Sequence, residues 1–484
     1  MQLLLIQRIL GLFLIVFSST QIPPMLVSII YADGALVPFF DAFSITLITG
    51  IVMWLPVKNV KRELRMRDGF LVVVMFWTVL GIFGSIPFIM SELVPISITD
   101  AVFESISGLT TTGATVLSGL DTLPKSILYY RQQLQWLGGI GIIVIAVAIM
   151  PMLGIGGMQL YRAETPGPIK DSKLTPRITE TAKALWYIYL TLTIACAAAY
   201  WLAGMDVFDA IGHSFATIAI GGFSTHDASM GYFINTPEVE IVAIVFMILA
   251  GVNFALHFVA WRSRSILHYF ADSEFRVYVT LLFSVAVISS LYLMYMDVFP
   301  HYSRAVLHGV FQAVSIGTTT GFTTHEYHNW PGFLPVLLLF TSFIGACAGS
   351  TGGGMKVIRF LLLVKQGLRE IMRVIHPNAI ITTKIGGKPL SDQVINSVWG
   401  FFSAYVATFV IILLALMLTG LDQISAFSAT AAAINNLGPG LNKVGANYAT
   451  IGDAAKWILT FAMLLGRLEI FTLLVLLTPA FWRR

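Results

Sequence analysis

The sequence predicts an all-α polytopic membrane protein with a fourfold internal repeat, and three observations carry that prediction. Of 484 residues, 57% are hydrophobic and only 11% charged, whereas a globular domain carries about a quarter charged residues. Apolar stretches of about 20 residues, the length that crosses a bilayer, recur along the chain. Between them, a shorter apolar helix ending in a glycine-rich run returns four times. A net charge of +4, from 29 basic and 25 acidic residues, makes no case for nucleic acid. Cys196 and Cys347 both lie in apolar stretches, so neither a disulfide framework nor a zinc site is available. A secreted scaffold, a soluble enzyme and a DNA-binding protein are thereby excluded.

The spans fall near residues 3–30, 36–56, 69–90, 133–158, 184–204, 239–261, 275–299, 396–420 and 455–481. Each is expected to be helical, because backbone exposed to lipid must satisfy its own hydrogen bonds. The first has a single charge, Arg8, and no convincing cleavage site, so it reads as a retained span and not a signal peptide. Another stretch, 333–373, is interrupted by Gly349-Ser350-Thr351-Gly352-Gly353-Gly354. Charge then orients the chain. The segments 57–68, 159–183, 262–276 and 356–392, with Arg8, Arg483 and Arg484, hold 23 of the 29 basic residues. By the positive-inside rule these segments and both termini are cytoplasmic. The opposite face collects Glu92, Asp100, Glu104, Asp121, Asp206, Asp209, Asp227, Glu238, Glu240, Asp297, Glu326, Asp422 and Asp453. Such a surface raises the local concentration of cations, although polar loops alone account for it.

The repeat is read from its glycines. Gly113, Gly222, Gly321 and Gly438 are separated by 109, 99 and 117 residues, and each closes a small-residue run. Thirteen residues before them stand Asp100, Asp209, His308 and Ser425, residue types that suit a helix N-terminus. The intervening helices are too short to span and read as re-entrant. Irregular backbone at membrane depth is tolerated only where protein buries it or where it lines a watery cavity. Four glycine loops can approach one axis and surround a cation with carbonyl oxygens. A single glycine cluster would read as a packing kink; four in register argue against that.

On the motifs Thr-Thr-Gly-Ala-Thr at 111–115, Gly-Gly-Phe-Ser at 221–224, Thr-Thr-Gly-Phe-Thr at 319–323 and Asn-Asn-Leu-Gly-Pro-Gly at 435–440, the chain resembles the Trk/Ktr/HKT superfamily of cation transporters. Within it, the bacterial Trk-type potassium uptake proteins are the likeness, over essentially the whole chain. The resemblance implies two N-terminal helices followed by four membrane–pore–membrane repeats around one pseudo-fourfold pore. The expected division is 1–68, 69–160, 161–270, 271–390 and 391–484. It also implies that filter K⁺ ions are held by backbone carbonyls of Thr111, Thr112 and Gly113; Ile220, Gly221 and Gly222; Thr319, Thr320 and Gly321; and Asn436, Leu437 and Gly438. Glycine in all four loops goes with potassium in the family, and serine in the first loop with sodium in some plant members. The fourth loop departs from the threonine-rich pattern, so an asymmetric filter with weaker exclusion of sodium is expected. A sodium-conducting or weakly selective member is the alternative. No covalent cofactor is expected.

Below the filter, Arg467 lies in the middle of the last span, where an insertion cost of roughly 2.5–3.5 kcal/mol points to function. The resemblance implies an electrostatic barrier; the alternative is an ion-pair staple between two helices, for which Glu469, two positions on, lies on a different face of the helix. The run Ala346–Met355, with Gly349, Gly352, Gly353 and Gly354, fails the phosphate-loop template because Met355 separates Gly354 from Lys356. It reads as a movable gate, with a rigid kink as the alternative. His213, His257 and His308 are expected to be buried, hydrogen-bonded residues and not metal ligands. Trp54, Tyr129, Tyr130, Trp261 and Trp482 are expected to anchor the interface. The resemblance adds a homodimer in the bacterial inner membrane and a cytoplasmic, nucleotide-binding regulatory subunit of Trk type. The basic segments 159–183 and 356–392 are the docking candidates.

Overall fold

The computed structural model describes residues 1–60, 65–149, 178–379, 381–386 and 388–483, and the helical expectation holds throughout them. An N-terminal pair comes first: α1 (Leu3–Ser18), continued by α2 (Ile22–Tyr31), and α3 (Leu36–Trp54). Gly11 and Gly50 let α1 and α3 touch, since a Cβ on either would come within 2.9 Å of the other helix's backbone.

Each repeat then follows the order long helix, short helix, loop, long helix. The first has α4 (Met66–Gly84), α5 (Ile86–Met90), α6 (Ile98–Leu109) and α7 (Lys125–Ile149). The second has α8 (Ile178–Leu202), α9 (Val207–Ile218), α10 (Pro237–Ala250) and α11 (Phe254–Ser263), with a turn of helix α12 (Leu267–Ala271). The third has α13 (Ser273–Tyr295), α14 (Tyr302–Gly317), α15 (Leu334–Ile344) and α16 (Val357–Ile375). The fourth has α17 (Asp392–Leu418), α18 (Gln423–Ile434), α19 (Asp453–Arg467), α20 (Phe471–Leu477) and α21 (Pro479–Trp482). A two-residue hairpin, Lys384–Ile385 with Lys388–Pro389, sits in the basic segment before α17. Apolar side chains face outward on the long helices, Phe283, Leu291 and Ile411 among them. That suits a lipid surround.

Several boundaries differ from the sequence reading. The expected spans 239–261 and 455–481 are each broken, with bends of 94° between α10 and α11 and 116° between α19 and α20. The span expected at 133–158 starts at Lys125, and its residues beyond 149 lie outside the described residues. So do residues 61–64 of the basic segment 57–68 and most of the segment 159–183. The aligned Asp100, Asp209 and Ser425 are not the caps but lie one turn in. The caps are Ser97, Asp206 and Asp422, whose side chains accept those residues' N–H groups. In the third repeat the helix begins earlier, at Tyr302, and His308 lies in its middle.

Because α7 begins early, the polar run Arg131-Gln132-Gln133-Leu134-Gln135 falls inside the bundle. Arg131 Nε donates to Glu104 Oε1 at 2.7 Å, with side chains only 1% and 0% exposed. Glu104 also accepts from Thr115 Oγ1 and Val116 N–H, while Arg131 donates to the Ser224 carbonyl and covers the Phe223 ring. Glu104 is therefore a buried ion-pair partner and not part of an acidic outer surface. Glu240 is buried as well. Tyr130 is likewise a core residue, bonded to Gln21 and the Gly84 carbonyl and not an interface anchor.

Arg131→Met should lower unfolding stability in detergent by about 3–5 kcal/mol, because it strands a buried carboxylate. Adding Glu104→Gln should recover much of that loss; no recovery would mean that the pair is not what holds this junction.

Candidate functional site

The four short helices end in one and the same way. The residue two before each loop glycine has a left-handed φ: Thr111 (56°), Ile220 (55°), Thr319 (69°) and Asn436 (52°). Its N–H bonds back three residues, to Gly108, Thr217, Ile316 and Ala433. The next N–H reaches back five, from Thr112 to Ser107, Gly221 to Ala216, Thr320 to Ser315 and Leu437 to Ala432, at 2.8–2.9 Å. This is the Schellman helix end, repeated four times. A left-handed φ is ordinarily left to glycine, and for β-branched Thr and Ile it is a steric outlier. The loop glycine then returns to positive φ, at 77°, 79°, 84° and 95°.

These loops meet. A Cβ on Gly113 would overlap the carbonyl oxygen of Gly221, one on Gly222 that of Thr320, and one on Gly321 that of Leu437. A Cβ on Gly438 would come within 2.7 Å of the Thr112 oxygen and 3.0 Å of the Gly113 oxygen. Each glycine thus leans on the residue before the next repeat's glycine, and the fourth leans on the first. The circle closes with room for no side chain. Above it the repeats are joined in the same order. Asp227 accepts from Gly119 and Leu120 N–H, Gly231 N–H donates to the Thr323 carbonyl, Tyr327 donates to that of Gly440, and Tyr448 N–H donates to that of Thr115.

Directly beneath lies the break between α15 and α16. Gly345 (φ 70°), Gly349 (73°), Gly354 (73°) and Lys356 (77°) turn the chain out of helix, and Ala346 is buried. The loop bonds to three repeats at their helix ends. Thr351 donates to the Ile218 carbonyl at 2.8 Å, Gly353 N–H to Thr319 Oγ1 at 2.7 Å and Gly354 N–H to the Asn435 carbonyl at 3.1 Å. Gly352 has no room for a Cβ against the Thr318 carbonyl. Gly349 lies to the side, against Asn253. Arg467 completes the set: it donates to Thr111 Oγ1 at 3.1 Å and the Thr351 carbonyl at 3.3 Å. It also donates to the Gly138 and Gly139 carbonyls, just before α7 kinks at Gly141. Glu469, two residues on from Arg467, pairs with Arg359. Glu274 on α13 holds both ends of the loop, accepting from Ala348 N–H at 2.7 Å and Ile358 N–H at 3.1 Å.

The expected filter residues come to one place with Arg467, Ala346, Gly352, Gly353 and Gly354 beneath them, whereas Gly349 does not join them. The histidines are hydrogen-bonded as expected: His213 to Ser224 and the Asp209 carbonyl, His257 to Tyr269 and the Leu249 carbonyl, His308 to Thr324. Sequence reasoning missed Gln135, which bonds to Gly221 and Phe223 on either side of Gly222. Its signal was the polar run 131–135, costly inside a span unless used. It also missed His226 in the loop that follows Gly222, which bridges Asp121 and Asp209 and stacks on Tyr232. Burial opposes protonation of this imidazole, but the hydrogen bonds to the two carboxylates prevail and raise its pKa above the ordinary value.

Four glycine loops of one chain thus meet in a closed circle of backbone contacts. The profile of the TrkH family, described as a cation transport protein, matches residues 36–484. The chain belongs to the TrkH family of cation transport proteins. Relatives of this TrkH family member include the Trk system potassium uptake protein TrkH of Halomonas elongata, 56% identical over 100% of both chains. TrkG of Escherichia coli, also a Trk system potassium uptake protein, is 41% identical over 98% of this chain and 97% of its own. The crystal structure of the potassium transporter TrkH from Vibrio parahaemolyticus superposes with a TM-score of 0.91 at 56% identity, covering 100% of each chain. TrkH proteins are transporters and not enzymes.

Gly222→Ala should both strain a left-handed backbone and drive a methyl into the Thr320 carbonyl. Ion flux per folded molecule should drop more than tenfold, measured against Gly367→Ala, where a Cβ meets nothing and helix propensity improves by about 0.5–1 kcal/mol. Equal flux in the two variants would contradict the closed ring. For His226, a raised folded pKa means that the clamp contributes fully below the ordinary imidazole value. That contribution is lost as pH rises through the raised value. Unfolding midpoints taken across about pH 5.5 to 8.5, a window around the imidazole range, should fall more steeply for wild type than for His226→Gln.

Proposed function

We propose that this protein is the potassium-translocating subunit of a Trk-type uptake system in a bacterial inner membrane. Both termini are cytoplasmic, and the pore is assembled from the units 69–160, 161–270, 271–390 and 391–484. The single observation that carries the reading is the closed circle of loop glycines and carbonyls from four repeats of one chain. K⁺ sheds its water and is held by the carbonyls of residues 111–113, 220–222, 319–321 and 436–438. The C-terminal ends of the four short helices turn their negative dipole ends toward the same region. The names and identity of the relatives support potassium as the cargo.

Passage is controlled below the ring. Arg467 holds a positive charge on the exit path and is fixed there by backbone oxygens. At an effective dielectric constant of about 20, two unit charges about 6 Å apart repel by roughly 3 kcal/mol, or about a hundredfold in rate. The loop Ala346–Met355 is a steric gate on the same path. A homodimer, with nucleotide-binding regulatory subunits docking at the basic segments 159–183 and 356–392, completes the reading; the second segment carries seven basic residues against two acidic ones.

Purified protein in liposomes should take up rubidium in preference to sodium, and Arg467→Ala should raise basal rubidium flux by one to two orders of magnitude. Deleting Gly352 and Gly353 should abolish the response to the regulatory subunit. Sodium flux equal to that of rubidium would favour the weakly selective alternative. Unchanged basal flux in Arg467→Ala would reduce Arg467 to a structural tie.

A further inference from the structure

We propose that Gln135 is a specificity-determining positioning residue: from the second helix of repeat 1, it fixes the ion-facing loop of repeat 2. This deepens the filter reading above and rests on it.

The four loops share one backbone geometry but not one set of side-chain ties. In repeats 1 and 3 the residue before the loop glycine is threonine. Its hydroxyl bonds within its own loop, Thr112 to Thr110 at 2.8 Å and Thr320 to Thr318 at 2.7 Å. In repeat 4 the tie is Asn436, whose amide donates to Thr112 Oγ1 and the Met463 carbonyl. Repeat 2 has Gly221-Gly222, two consecutive glycines with no side chain to hold them and the widest conformational freedom of the four.

Gln135 supplies what is missing. It is fully buried, and both ends of its amide are used. Nε2 donates to the Gly221 carbonyl at 2.6 Å, and Oε1 accepts the Phe223 N–H at 3.0 Å. The two bonds bracket Gly222. A Cβ on Gly221 would fall on the Gln135 amide carbon and its two heteroatoms, so the glycine exists to admit the glutamine. The same Gly221 oxygen is the one against which Gly113 packs, in the place that Thr320, Leu437 and Thr112 oxygens take elsewhere in the circle. Among the described residues, it is the one of those four that a side-chain amide reaches.

The consequence is selective. A carbonyl has two lone pairs, and one engaged by Gln135 leaves the other for an ion while its position is held. Sodium, being smaller, needs the oxygens to close in. A fixed Gly221 oxygen resists that movement, and a freed one allows it. Gln135 thus acts on discrimination through backbone that it touches, without meeting the ion.

The test is the rubidium-to-sodium uptake ratio, both ions read on the same liposomes, so that the amount of folded protein cancels. Gln135→Glu keeps an acceptor for Phe223 but sets a lone pair against Gly221. Gln135→Met keeps the length and loses both bonds. Either should lower the ratio about tenfold, the effect of one hydrogen bond on a competition. Gln135→Ala opens the space at residue 221, so Gly221→Ser added to it should restore the ratio with a hydroxyl like those of repeats 1 and 3, whereas Gly221→Ser alone should clash. Gly321→Ala is measured alongside. A ratio that holds in the Gln135 variants but moves in Gly321→Ala overturns this role and leaves the filter standing. A ratio that moves in none of them overturns both.

Discussion

The structure depends on a contact that tolerates no side chain: a glycine of each repeat against a carbonyl of the next, four times around. Because one chain supplies all four partners, the circle has to close on itself, and it closes between Gly438 and Thr112. The helix ends beneath it are held in a form that their residues disfavour. Left-handed φ at Thr111, Ile220 and Thr319 costs of order 1–3 kcal/mol each and persists only when the surroundings over-determine it. Here the two Schellman hydrogen bonds, burial on every side and the neighbouring repeat do so. The same left-handed turn recurs at four equivalent positions, strained at three of them and tolerated at Asn436, and it sets the direction of the backbone in each loop.

The same closure explains why charged side chains are tolerated at membrane depth. Each short helix turns the negative end of its dipole toward the loop that follows it, and the four loops meet. Arg467 and the Gly353 and Gly354 N–H groups answer the carbonyl oxygens there and the neighbouring hydroxyls. Arg467 also ties Thr111 in repeat 1, Thr351 in the loop and the kinked α7, so the loop cannot move without altering partners in several repeats. Glu274 at both ends of the loop and the Arg359–Glu469 pair beyond it add fixed points on the side away from the circle. Glu469 and Ile470 are themselves left-handed, at 50° and 58°, so this pair sits on a strained turn. An element pinned by several discrete bonds can only be released as a unit.

Much of this was legible in the sequence, for a physical reason. Glycine at a fixed offset from a short helix is a local signal, and recurrence at 109, 99 and 117 residues made it global. Thr111 and Ile220 could be placed in the loop, but not given a left-handed φ, because their residue types argue against it. The breaks at 250–254 and 467–471 were hidden by the apolar stretches on either side of them, although Asn253, Arg467 and Glu469 stand in the breaks themselves. Hydropathy records what a segment faces, not whether its axis is straight. Glu104 was read as outward because acidic residues usually are. Its partner, Arg131, is 27 residues away on another helix, and only packing brings them together.

What the four repeats hold in common is therefore backbone, and what differs is how each is held. Thr112 and Thr320 use their own hydroxyls, Asn436 reaches across to repeat 1, and Gly221 borrows Gln135 from it. Each is a different side-chain answer to one requirement, a carbonyl fixed in direction and distance. Repeats joined in one chain are free to diverge in this way, whereas identical subunits cannot. A consensus drawn over side chains would rank the second and fourth loops as poor copies. Ranked by φ and hydrogen bonds, they match the first and third. The borrowed ties also cross repeat boundaries, so a substitution in one repeat is felt at the ring through its neighbour. A circle built this way has its asymmetry written into the scaffold behind the oxygens rather than into the oxygens themselves.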